Sequence, residues 1–343
     1  MKISEMLLRE NFYKINEETL KEFFDKSTNS EQLYIYPQLN AIITKKPSKQ
    51  VKKYLYNEYT VRGNLLKAVV VKAYVFLCLN SNGFLASNKI NIPNEMTSEK
   101  LIYPCNKKYR IFDFGSNTVS VVPKHGFPTV DLEREIEFRS NNQASFIPCL
   151  ASYSERKYSE NIIDGLPLAR ITNNFEALCE EAVTILEKYA AETGNVTEKN
   201  AKDYVLELKS VIEDFANRKG KKLDKLALKK ILSKLIEFVG EETVTLTLSH
   251  GDLQPGNVWV DKDGKIFIID WESWNRRSSW YDRAVMFSNI RSKGLDEYLK
   301  TSPKNTQTAI VCLEDIIFRL NELFNLPSDY GEKEFDAYIK SLE

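Results

Sequence analysis

The sequence predicts an α+β fold in two lobes, a small strand-rich one followed by a larger, mostly helical one. Three observations carry this expectation. The chain has 343 residues, enough for two separate cores. Short apolar and β-branched runs, separated by turn residues, cluster between residues 99 and 122. Longer stretches with apolar residues three and four apart then dominate from Phe175 onward. The expected organisation is a helical N-terminal extension over 1–98, a small lobe over 99–163 and a large lobe over 164–343.

Within the extension, Glu17 to Phe24 reads as helical, and Gln50 to Leu79 as one or two further helices. Asn80-Ser81-Asn82-Gly83 is a stop signal. Leu65 to Leu79 is apolar but falls short of a membrane span and carries Lys67 and Lys72. It reads as a buried helix in preference to a membrane-surface one. In the small lobe, Leu101 to Tyr103, Lys108 to Phe114 and Thr118 to Val122 read as three strands, with a tight turn at Gly115-Ser116-Asn117. In the large lobe, Phe175 to Glu192, Glu198 to Arg218 and Leu223 to Val239 read as helices. Further helices are expected over Arg283 to Ser292, Thr306 to Phe324 and Glu332 to Leu342.

Between these helices lies the chemistry. Thr243 to Leu248 reads as a strand delivering the chain into Ser249-His250-Gly251-Asp252-Leu253-Gln254-Pro255-Gly256-Asn257. Pro255-Gly256 forces a turn. Val258 to Val260 and Ile266 to Ile269 read as a hairpin around Asp261-Lys262-Asp263-Gly264, which brings Asn257 near Asp270. Phosphoryl transfer needs a carboxylate to orient an attacking hydroxyl and accept its proton, and hard oxygen ligands for magnesium. Asp252, Asn257 and Asp270 supply those groups in that order.

The segment resembles the aminoglycoside phosphotransferase and choline kinase-like family, which has the bilobal protein-kinase fold. The resemblance rests on His250-Gly251-Asp252 and on Ile269-Asp270-Trp271-Glu272. It implies ATP and Mg2+ as cofactors and a small-molecule hydroxyl as acceptor. It makes Asp252 the catalytic base, His250 a brace for its loop, and Asn257 and Asp270 the metal ligands. Asp282 matches a later aspartate that usually has a structural role. Lys124 corresponds to the lysine that holds nucleotide phosphates, and Glu135 to its helix partner, with Glu137 the rival. If Lys124 is misplaced, Lys107 or Lys108 is the alternative. Ile147-Pro148-Cys149-Leu150 resembles the strand after that helix. Ser159, Glu160, Asn161 and Ile162 then fall in the hinge whose backbone reads adenine. The chain departs from the pattern at Cys105-Asn106-Lys107, where a glycine-rich loop is expected. A kinase-like scaffold therefore stays open as an alternative, although a scaffold has no need of both base and ligands. A protein kinase is disfavoured by His-Gly-Asp and by the lack of an Ala-Pro-Glu segment after Asp270.

Four tryptophans lie close together around Asp270. Trp274, with Arg276 and Arg277, is the candidate acceptor surface, combining a stacking face with cations suited to a neutral or anionic sugar or glycan precursor. A cationic aminoglycoside or choline would favour an acidic lining instead. Lys plus Arg equals Asp plus Glu at 48 each, so nothing advertises a nucleic-acid partner. The five cysteines are scattered without metal-ligand spacing, as in a reduced, cytoplasmic protein. The basic run Arg218 to Lys222 reads as a solvated turn. No signal peptide or integral membrane segment is expected. The sequence leaves the oligomeric state open.

Overall fold

The computed structural model describes residues 17–21, 30–59, 65–93, 97–105, 107–218, 225–288, 290–324 and 330–342. The chain divides into two compact units. The first comprises Met1–Ile136 and Pro148–Leu166, the second Glu137–Ile147 and Pro167–Glu343.

The first unit is built on one antiparallel sheet of eight strands. These are β1 (Ser30–Tyr36), β2 (Ala41–Thr44), β3 (Asn88–Pro93), β4 (Lys100–Pro104), β5 (Lys108–Asp113), β6 (Thr118–Pro123), β7 (Leu150–Ser154) and β8 (Lys157–Asn161). Their order across the sheet is β3-β1-β2-β4-β5-β6-β8-β7. Strands β4, β5 and β6 stand where the sequence places them. The expected helices of 50–79 are present as α1 (Lys49–Glu58) and α2 (Leu65–Asn80). Residues 17–21 are helical, while 22–24 lie outside the described residues.

The description of 1–98 as a helical extension needs correcting. Strands β1, β2 and β3 belong to the same sheet as the small lobe and continue it beyond β4. They do so because both faces of β1 are buried. Leu33 and Ile35 join Tyr109, Ile111 and Val122 on one face. Tyr34 and Tyr36 join Leu101, Phe112 and Val119 on the other, under Val51 and Leu55 of α1 and Val75, Cys78 and Leu79 of α2. A strand covered on both sides is uniformly apolar and loses the alternation that marks a half-buried one.

The helix α3 (Val130–Asn141) packs Leu132 and Ile136 on Val121 of β6 and Tyr158 of β8. Val121 and Val122 point to opposite faces, as neighbours on a strand must. This parity decides which lysine meets α3.

A short strand β9 (Gly165–Pro167) leads into the second unit. There α4 (Phe175–Glu192), α5 (Ala201–Arg218), α6 (Lys225–Ile236), α7 (Tyr281–Phe287), α8 (Ile290–Lys293), α9 (Leu295–Thr301), α10 (Thr306–Phe324) and α11 (Tyr330–Ser341) form most of the mass. The helix expected from Glu198 begins only at Ala201, because β10 (Val196–Asn200) pairs with β11 (Thr243–Ser249). β11 in turn pairs with β14 (Asn275–Ser278), and β12 (Val258–Asp261) with β13 (Ile266–Ile268). A core of Phe138, Phe146, Leu186, Leu253, Val258, Ile268 and Trp271 underlies the loop between β11 and β12. The basic run beyond Arg218 lies outside the described residues.

Candidate active site

The loop Ser249–Asn257 is held from below at three points. The Asp282 carboxylate, at the start of α7, accepts from the backbone N–H groups of His250 (2.9 Å) and Gly251 (3.0 Å). His250 is fully buried, with Nε2 at 2.9 Å from the Ile269 carbonyl and Nδ1 accepting from the Asp252 N–H at 3.3 Å. Those two bonds select the Nε2–H tautomer. The ring stands edge-on to Trp271 at 4.6 Å. Trp271 is itself anchored by Nε1–H to the Ile268 carbonyl, at 2.8 Å, and stacked on Phe138 at 4.4 Å. His250 thus ties the Asp252 loop to the strand end that carries Asp270.

Gly251 explains the glycine of the motif. Its φ is +84°, and a Cβ there would be driven into the Ser273 carbonyl oxygen and to 2.6 Å from Arg277 Nη1. Gly251→Ala is expected to destabilise the protein by about 1–2 kcal/mol from the left-handed backbone alone. Turnover should fall further as the loop shifts. Thermal unfolding and steady-state rates on the purified variant check both parts.

The Asp252 carboxylate is enclosed by donors. Asn257 Nδ2 donates to Asp252 Oδ2 at 3.0 Å and to the Asp252 carbonyl at 2.9 Å. Gln254 Nε2 donates to Oδ2 at 3.0 Å. Arg291 Nε donates to Oδ1 at 2.8 Å. Because the Asn257 amide nitrogen faces Asp252, its carbonyl oxygen is turned away from that carboxylate, as a hard-cation ligand requires.

The hairpin β12–β13 does bring Asn257 beside the strand end. Val258 pairs with Ile268, and the Ile269 N–H donates to the Asn257 carbonyl at 2.9 Å. The next residue, Asp270, has φ 71° and ψ 53°. A left-handed Asp is uncommon outside turns and sites of function.

The structure gives Glu135 a different lysine partner from the one expected. Glu135 is fully buried and forms its ion pair with Lys108, at 3.3 Å, while the Tyr158 hydroxyl donates to it at 2.9 Å. One helical turn earlier on α3, Asp131 pairs with Lys107 at 2.8 Å. Lys124 instead lies over the rings of Tyr109 and Phe127, at 5.4 and 5.9 Å. Tyr109 packs on the sheet face that holds Val122, opposite the face of Val121 and α3. Burial pushes the Lys124 ammonium down to about 8. At the glycine-poor connection from β4 to β5, the Cys105 N–H donates to the Lys108 carbonyl at 2.9 Å.

The expected hinge residues lie at the end of a strand. Ser159, Glu160 and Asn161 lie within β8, which pairs with β6 on one side and β7 on the other. The Ile162 N–H donates to the Asn117 carbonyl at 3.1 Å. The segment leaving the strand therefore starts at Ile162.

The three acceptor candidates are not brought together. Arg276 and Arg277 are neighbours on β14 and point to opposite faces. Arg276 is exposed and donates to Thr197 Oγ1 at 2.9 Å. Arg277 is buried, donating to the Ser273 carbonyl at 3.0 Å and to Ser249 Oγ at 3.4 Å, with its guanidinium 5.1 Å from the Tyr281 ring centre. Trp274 packs on Phe138 at 5.1 Å. Arg291, which the sequence analysis does not single out, reaches Asp252 from α8 across 39 positions. No local spacing signals it.

Residues 165–304 match the phosphotransferase enzyme family. This stretch contains the whole loop, Asn257 and Asp270, so the similarity to that family covers the part of the chain that carries the motifs. No curated protein sequence matches the chain. Solved structures similar to it include an aminoglycoside phosphotransferase, APH(2")-IIa, in ternary complex with streptomycin and ATP. That comparison has 16% identity and TM-score 0.44, covering 71% of this chain and 93% of the other. Choline kinase LicA from Streptococcus pneumoniae shares 16% identity with TM-score 0.40, covering 73% and 91%. Macrolide 2'-phosphotransferase MphH from Brachybacterium faecium shares 12% with TM-score 0.43, covering 69% and 89%.

Proposed function

We propose that this phosphotransferase-family protein moves the γ-phosphoryl group of ATP to a hydroxyl of a small molecule, in a magnesium-dependent reaction. The observation that carries the reading is the Asp252 carboxylate, oriented by Asn257, Gln254 and Arg291 on a loop braced by His250 and Asp282. In the second unit, Asp252 would orient the acceptor hydroxyl and take its proton, and Asn257 and Asp270 would hold the metal through oxygen. Magnesium, when bound, offsets charge on the phosphates. In the first unit, Lys108, positioned by Glu135, is the proposed phosphate-binding lysine in place of Lys124.

An acceptor held by stacking and a bidentate cation needs Trp274, Arg276 and Arg277 together. Arg277 is turned inward, so only Arg276 supports a sugar or glycan precursor. Aminoglycosides and choline remain the alternatives. An ATP-consumption screen across sugars, aminoglycosides, amino alcohols and nucleosides tests the function. Turnover with none of them, together with no magnesium-dependent ATP binding, would leave the scaffold reading standing.

The lysine assignment has its own test. Lys108→Met is expected to weaken ATP binding by about tenfold or more, the loss of one charge-assisted phosphate contact. Lys124→Met should leave it within about twofold, because Lys124 lies over Tyr109 and Phe127 on the sheet face opposite α3. Calorimetric titration with magnesium and a non-hydrolysable ATP analogue measures both. The reverse ranking restores Lys124.

A further inference from the structure

The chain as a whole is charge-balanced, but residues 41–80 are not: they hold eight Lys and Arg against one acid, Glu58. This segment builds β2, α1 and α2. Helix α2 reads in sequence as buried, yet only one of its faces is. Val75, Cys78 and Leu79 pack into the sheet core. Leu66 (77% exposed), Val69, Val70, Phe76 and Leu77 face solvent. Steps of three, one, six and one along a helix put these five on one stripe. Beyond α2 the turn exposes Phe84 at 87%. A contiguous apolar face of this kind marks an interaction surface, not ordinary scatter.

Basic residues flank it. Lys45, Lys46, Lys49 and Lys53 are exposed along the β2–α1 segment, and Lys72 on α2 itself. Lys52 Nζ donates to Asn80 Oδ1 at 2.7 Å, which sets the lysine row of α1 beside the C-terminal end of α2. The one acid, Glu58, accepts from the Tyr103 hydroxyl at 3.4 Å. The apolar stripe of α2 and the lysine row of the neighbouring β2–α1 segment together offer the two attractions that hold a protein at a membrane surface, apolar area for the acyl boundary and basic charge for anionic headgroups. No helix among the described residues is long and apolar enough to cross a membrane, so the contact is peripheral. The stripe runs along a helix only about 24 Å long at 1.5 Å per residue. That is narrow for the roughly 800 Å² per partner of a stable protein interface, whereas a bilayer demands no matching shape.

We propose that α2 and the turn after it dock on an anionic lipid surface. Leu66, Val69, Val70, Phe76, Leu77 and Phe84 enter the acyl boundary, and the lysines of the β2–α1 segment meet the headgroup phosphates. The inference concerns a surface of the first unit and does not depend on the proposed reaction.

Co-sedimentation of the full chain with phosphatidylcholine vesicles, with and without phosphatidylserine, tests it. Binding is expected on the phosphatidylserine vesicles and is expected to fall as salt rises. Lys45→Glu with Lys49→Glu should reduce the partition coefficient by roughly tenfold or more, at about a factor of five per juxtamembrane charge. Phe84→Ser should reduce binding by a similar factor. All three positions are exposed, and circular dichroism confirms that the variants fold. Equal binding with and without phosphatidylserine, or wild-type binding by Phe84→Ser, overturns the proposal. So does a dimer in sedimentation equilibrium that Val70→Ser dissociates, since the face is then a contact between copies of the chain.

Discussion

Replacing Asp252 with Asn is expected to lower turnover by about two to four orders of magnitude, the usual scale for loss of a general base. Nucleotide binding should be largely retained. The substitution keeps the side chain's size and one carbonyl oxygen, so Gln254 and Asn257 still have an acceptor nearby. It removes the charge that faces Arg291, but Arg291 keeps Asp315 as a carboxylate partner. The fold should therefore survive, which makes the variant a test of chemistry. Steady-state rates with the acceptor found by screening, beside calorimetric ATP binding, measure the two quantities separately. Turnover within a few-fold of wild type would remove Asp252 from its role. Loss of ATP binding to the same extent as turnover would mean that the loop, not the base, had failed.

The candidate catalytic segment is the part of the molecule most legible in the sequence, for a physical reason. A base, its neighbouring ligand and a metal-strand carboxylate must come from one loop and one hairpin, so chemistry fixes both residue types and short intervals. The hairpin between Asn257 and Asp270, and the structural place of Asp282, could be read from that spacing. Positions that depend on face parity could not. Lys108 meets α3 and Lys124 does not because of the strand register that pairs Lys108 with Pro123. A shift of one residue sends a side chain to the other face. The same parity separates Arg276 from Arg277. Strands β1 and β2 escaped notice because burial on both faces leaves short apolar runs that do not alternate, whereas β3 does alternate, with Ile90 and Ile92 buried and Lys89 and Asn91 exposed, but has too few apolar residues to mark a strand. Arg291 escaped because its partners, Gly251, Asp252, Tyr281 and Asp315, are assembled only by the fold.

Arg291 is also where the largest loss of stability is expected. Its guanidinium lies 3.6 Å from the Phe318 ring centre and donates to Asp252 Oδ1 (2.8 Å), the Gly251 carbonyl (2.8 Å), the Tyr281 hydroxyl (2.7 Å) and Asp315. Burial disfavours its charged form, but Tyr281, Asp315 and Asp252 more than offset this and hold it well above its ordinary range. Arg291→Met retains much of the packing on Phe318 and removes every donor. Asp315, fully buried, is then left with the hydroxyls of Tyr338 (2.8 Å) and Tyr281 (3.3 Å) and with Arg319 at 3.9 Å. Breaking a buried ion pair from one side costs about 3–5 kcal/mol. That is a large part of the roughly 5–15 kcal/mol by which domains are stable. Urea unfolding should register this loss, and turnover should fall with it, because Asp252 loses the donor that fixes Oδ1. Two further variants separate the effects. Arg291→Lys restores a charge but not the planar fork, so it should recover part of the stability and little of the turnover. Arg291→Met combined with Asp315→Asn removes the stranded carboxylate and should recover stability while turnover stays low. If turnover instead returns in step with stability in that double variant, Arg291 supports the fold alone and does not position the base.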